Sequence, residues 1–183
     1  FSNVLSMVFK PCKTPAEFSA YLLDLLHLIF KNFNSLSAAT ADQQLEKEFI
    51  EEGVVAFYHM NFPVIGRDST TAGEVAAAIF DLYGADAFWT FQKTVFENQG
   101  NPRERWATAD YLVDLADATI DGVDRQELSG AVRDGTYQYE VRRDFFVGEQ
   151  IGVSGTPTVI VGDTVVRNFR DYSEIRRLIN EQK

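Results

Sequence analysis

The chain has 183 residues, enough for one domain or one domain with an inserted subdomain, and its 45% hydrophobic share can fill a packed core. A formal net charge of −10 argues against nucleic acid and against an anionic membrane surface, since both need a basic face. One cysteine, Cys12, excludes an internal disulfide. The chain opens at Phe1 without a basic segment and cleavage site, so it reads as a mature or trimmed fragment.

Val4 to Phe9 is a short apolar run, expected as the first strand. Lys10-Pro11-Cys12-Lys13-Thr14-Pro15 reads as a strand-to-helix junction, with Thr14 as N-cap and Pro15 at the first helical position. A helix is expected from there to about Phe33. Phe18, Tyr21, Leu22, Leu25, Leu26, Ile29 and Phe33 make it apolar, and Asp24 and Lys31 exclude a membrane span. A second helix is expected over Asp42 to Glu52, with Glu46 to Glu52 supplying a solvated face, and Gly53 stops it. Val54 to Met60 reads as a strand that Asn61-Phe62-Pro63 ends.

Five helical segments follow. Thr71 and Glu74 have capping-box spacing for a helix to Tyr83, which Gly84 ends. Asp86 starts the next, carrying Phe88, Trp89, Phe91, Val95 and Phe96, and these aromatics are read as core rather than as a substrate groove. Thr108 and Asp124 start two more, and Tyr137 to Ile151 is the last. Then comes Gly155-Thr156-Pro157-Thr158, where Gly155 permits unusual backbone angles and Pro157 can sit in a cis peptide. Thr158 to Val161 is a β-branched strand, Gly162-Asp163 a hairpin turn, and Thr164 to Arg167 the returning strand. Asp171 caps a closing helix with Ile175, Leu178 and Ile179 on one face.

Loop, Thr-Pro, hairpin and amphipathic helix together resemble the closing half of the thioredoxin fold. The helical block between the two β regions resembles the DsbA-like thiol–disulfide oxidoreductases, nearest the Gram-positive BdbD-type branch. The carrying residues are Glu48-Phe49-Ile50, Gly53, Asn61-Phe62-Pro63, Asp86-Ala87-Phe88-Trp89-Thr90-Phe91, Trp106, and Gly155 through Val166 with Asp171-Tyr172. The resemblance implies an α/β, thioredoxin-like fold with an inserted helical subdomain. It divides the chain into a βαβ half over 1–68, an insertion over 69–150 and a ββα half over 151–183. The loop proline of that fold is cis and faces the redox cysteines, so Gly155, Thr156 and Pro157 are the expected substrate-holding residues.

The family carries Cys-x-x-Cys where this chain has Phe9-Lys10-Pro11-Cys12. By the resemblance, Cys12 stands at the resolving position and Phe9 at that of the lost nucleophile. Residues 1–40 are either a diverged or altered segment or a true active-site βα unit, and Cys12 is either a functional remnant or a small buried apolar side chain. If Phe9 and Cys12 flank the start of a helix, Phe9→Cys places a second thiol within disulfide reach.

The family reading implies an oxidoreductase acting on unfolded or cysteine-containing proteins outside the cytoplasm, with a membrane redox partner of the DsbB or VKOR type and no cofactor. The alternatives are a redox-inactive peptide-binding module and a glutathione-transferase kappa-like enzyme, for which Ser6 stands too early relative to Pro11. His27 and His59 are far apart in sequence, so no metal site is expected.

Overall fold

The computed structural model describes residues 6–11, 48–49, 52, 54–64, 66–101, 104–156, 158–166, 168 and 171–182. Cys12, His27, Pro157 with its expected cis peptide, and the helix expected over 14–33 lie outside the described residues; so does the helix over 42–52 except for a helical turn at Glu48-Phe49. In chain order the elements are β1 (Ser6–Pro11), β2 (Val55–Met60), α1 (Arg67–Glu97), α2 (Ala109–Thr119), α3 (Arg125–Arg133), α4 (Gln138–Gln150), β3 (Thr158–Val161), β4 (Thr164–Val165) and α5 (Tyr172–Glu181). They fall into two compact units, one helical over Met60–Thr156, the other holding the sheet and α5.

The sheet has the order β2-β1-β3-β4. β3 pairs antiparallel with β4 across the expected turn, Ile160 opposite Val165 and Val161 opposite Thr164. Regular pairing stops at Val165, short of the expected Arg167, although the Val166 N–H still donates to the Val159 carbonyl at 2.8 Å. β1 is described from Ser6 and runs past the expected Phe9 to Pro11, while the expected start at Val4 lies outside the described residues. Proline suits that last position, because its fixed φ fits extended chain and it has no N–H to satisfy.

α5 lies against β3 and buries Ile175, Leu178 and Ile179, the face its sequence predicts. Asp171 caps it, accepting from the N–H groups of Ser173 at 3.0 Å and Glu174 at 3.3 Å. Glu48, expected on a solvated face, is instead engaged: it accepts from the Tyr172 hydroxyl and, at 2.7 Å, from Arg176 Nε. Tyr172 and Arg176 are four residues apart on α5, so both reach one carboxylate. Burial, and then the Glu48 carboxylate, push the Tyr172 hydroxyl up to about 12.

In the helical unit, α1 begins a turn before Thr71. Thr71 Oγ1 donates to the Arg67 carbonyl at 3.0 Å, so this threonine is interior and not a cap. Asp68 fills the first turn and accepts from the N–H groups of Trp106 at 2.9 Å and Ala107 at 3.1 Å, fixing the chain ahead of α2. Gly84, at φ 84°, breaks α1 where a stop is expected. Thr108 and Asp124 cap α2 and α3 through the N–H groups of Tyr111 and of Gln126 and Glu127. The core gathers Val75, Ile79, Phe88, Trp89 and Phe91 from α1, Leu112 and Val113 from α2, Leu128 from α3 and Val141 from α4. Phe96, expected with the other aromatics, is 44% exposed.

Candidate functional site

The loop that carries Gly155 and Thr156 leaves the end of α4. The Ile151 and Gly152 N–H groups donate back to the carbonyls of Val147 and Glu149, each at 3.1 Å, and the Val153 N–H donates to the Gly148 carbonyl at 2.9 Å. These bonds satisfy three of the last four carbonyls of the helix and turn the chain sharply out of it. Val153 is buried, Ser154 is exposed, and Gly155 and Thr156 are half-buried. Gly155 and Thr156, the expected peptide-holding residues, are therefore partly exposed just ahead of β3.

One turn of α4 supports this loop from behind, and its residues were not singled out from the sequence. Asp144 is buried, and its Oδ2 accepts from both the backbone N–H and the Nδ2 of Asn61, each at 3.2 Å, while Oδ1 accepts from Arg143 at 3.1 Å. The next residue, Phe145, stacks on Phe62 at 4.8 Å. A Cβ at Gly148 would meet the Phe62 ring at 2.7 Å, so only glycine lets the helix approach that closely. The available signal was a carboxylate on an otherwise small and apolar stripe, Val141, Asp144 and Gly148, because a buried charge needs a partner.

Glu140 lies one turn before Asp144. Burial raises its carboxyl above the usual range, Asp144 and Asp81 add to the rise, and Arg143 opposes it. A raised carboxyl favours the protonated folded state. Its stabilising contribution is present below the ordinary carboxylate range and is lost as pH rises through the folded value. Glu140→Gln is therefore expected to raise the melting temperature by about 1–2 °C at neutral pH, a size reduced by partial exposure. Near pH 4 the gain should vanish, which thermal melts at the two pH values will check.

Placement of the other candidates follows from the sheet register. β1 runs parallel to β3, with Ser6 opposite Thr158 and Phe9 opposite Val161. Thr158, the residue after Pro157, thus lies beside the start of β1. Phe9 is three strand steps further on, about 10 Å along the sheet. This register sets Phe9 apart from Thr158 along the sheet. Among the described residues, no cluster of His, Cys, Asp or Glu could hold a metal ion, and no helix is long and apolar enough to cross a membrane.

Comparison with known proteins matches the family model described as Thioredoxin to residues 37–181. Disulfide bond formation protein D of Bacillus subtilis is 30% identical over 139 residues, covering 76% of this chain and 62% of that protein. A probable disulfide bond formation protein D of Bacillus cereus is 27% identical over the same length, covering 76% and 63%. The chain thus spans less than two thirds of the length of these relatives. The crystal structure of oxidised BdbD from Bacillus subtilis superposes with a TM-score of 0.68 at 24% identity, covering 98% of this chain and 91% of that one, and so shows a shared fold. The chain belongs to the thioredoxin family, and it is similar to the disulfide bond formation proteins D in sequence and to BdbD in fold.

Proposed function

We propose that this chain is a DsbA-like thiol–disulfide oxidoreductase for cysteine-containing proteins outside the cytoplasm, working through one thiol. The observation that carries the reading is the 30% identity to disulfide bond formation protein D. In it, Gly155, Thr156 and Pro157 hold an extended substrate segment and Cys12 supplies the sulfur. The Cys12 thiolate attacks a substrate disulfide, an S–S bond forms between Cys12 and one substrate sulfur, and the other leaves as thiolate. The chain has a single sulfhydryl, so an external thiol must release the mixed disulfide. A membrane redox partner of the DsbB or VKOR type completes the cycle, and the chain divides functionally at 1–68, 69–150 and 151–183.

A redox-inactive peptide-binding module is the second reading. The single cysteine and the parallel β1–β3 register favour it. One experiment separates the two. The protein is mixed with a peptide disulfide, and mass spectrometry follows the adduct on Cys12 while insulin reduction is assayed with added glutathione. The oxidoreductase reading expects a Cys12 adduct and slow, glutathione-dependent turnover. Peptide retention with neither adduct nor turnover supports the binding module instead.

A further inference from the structure

The structure assigns a positioning role to Asp144 and Phe62: through one turn of α4 they fix where the Gly155-Thr156 loop sits. The inference rests on the reading of that loop as the peptide-holding segment. Two stretches far apart in sequence converge on residues 144–148. Asn61 and Phe62 arrive just after β2, and Val153 arrives just before the loop.

Asn61 is tied twice to the same Asp144 oxygen, at 3.2 Å by its main chain and 3.2 Å by its side chain, so its orientation is set as well as its position. Phe62 is buried, stacked on Phe145 and pressed against the Cα of Gly148. The bare Cα of Gly148 also faces Val153, whose Cβ would lie 3.8 Å from a Cβ placed there. Gly148 O then accepts from the Val153 N–H at 2.9 Å. Three residues later the chain reaches Thr156. Phe62 bears on Gly148, which lies one turn after Asp144 and is hydrogen-bonded to Val153, so a shift of either is passed to Val153 through Gly148, because close-packed interiors transmit strain.

Stability alone is a poor account of this arrangement. A buried carboxylate with amide and guanidinium partners gives little net stabilisation over an apolar pair of the same volume, whereas it does fix geometry. Gly73 of α1 points the same way: a Cβ there would stand 3.2 Å from Asn61 Oδ1 and 3.4 Å from Val141. Helices α1 and α4 therefore close tightly around Asn61, which leaves it little freedom.

The test compares wild type with Asp144→Ala, Asp144→Asn and Phe62→Leu. The probe is fluorescein-labelled insulin B chain, reduced and alkylated so that no disulfide chemistry intervenes. Affinity is measured well below each melting temperature, and hydrogen exchange is read at the amides of residues 153–156, with Leu112 and Leu128 as internal references. Asp144→Ala is expected to weaken binding about tenfold and to speed exchange at 153–156 while the references hold. Asp144→Asn, which keeps an acceptor oxygen for Asn61, is expected to restore most of both, and Phe62→Leu to fall between. If Asp144→Ala does not fold, the other two variants carry the test. Unchanged affinity and loop exchange in the folded variants would overturn the role, as would exchange that rises equally at the references. If wild type itself fails to bind the B chain, the peptide-holding reading is what fails, and exchange at 153–156 alone decides the positioning role.

Discussion

Phe91→Ala is expected to lower the melting temperature by on the order of 10 °C, whereas Phe96→Ala, five residues along the same helix, should lower it by no more than a few degrees. Phe91 is 1% exposed and Phe96 is 44% exposed. Truncating the first removes a ring that touches core on all sides and leaves a cavity, at a cost of about 3–5 kcal/mol. Truncating the second returns to water a surface that is already half wet. Thermal or urea melts of the two variants read the contrast directly. Equal losses would mean that the far side of α1 is covered, and that Phe96 belongs to the core after all.

Those two residues also mark where sequence reading stops. Five helical steps turn the chain by about 140°, so Phe91 and Phe96 cannot share one narrow face. Aromatic content suggested a core, but only the packing of α2, α3 and α4 decides which side is covered. Helix starts were legible where a polar side chain meets open N–H groups, and Thr108, Asp124 and Asp171 all cap as expected. Thr71 carries the same letters, Thr-x-x-Glu, yet it lies one turn inside α1. A threonine that returns its hydroxyl to the carbonyl four residues back is indistinguishable by spacing from one that caps.

The site was less legible than the fold. Gly155 and Thr156 stood out because glycine and proline punctuate the chain just before a β-branched run. The support behind them did not, because Asn61 and Asp144 are 83 residues apart and neither stretch by itself points to the other. Strand direction is a further gap. An apolar run such as Val4 to Phe9 has the same alternation read either way, so it predicts a strand but not whether its end or its start will lie beside Thr158. The register decides that.

No dithiol turnover is expected from this chain, and Cys12→Ser should abolish all mixed-disulfide formation. The chain holds one sulfhydryl, so a mixed disulfide has no internal thiol to resolve it. The sequence alone suggests that Phe9→Cys repairs the defect; the strand argues otherwise. A disulfide between positions 9 and 12 needs their Cα atoms about 4.4–6.8 Å apart, and residues three apart come that close only across a turn centred on the two between them. Those two residues, Lys10 and Pro11, are extended strand in β1, and Phe9 itself is laddered to Val161. Phe9→Cys is therefore expected to keep two free thiols after oxidation and to leave insulin reduction at the level of the unmodified chain. Thiol counting before and after oxidation, followed by the insulin assay, checks both statements. A Phe9→Cys protein that loses both free thiols and reduces insulin would require residues 9–12 to turn rather than extend. It would then return the end of β1 to the active-site role that the family resemblance gives it.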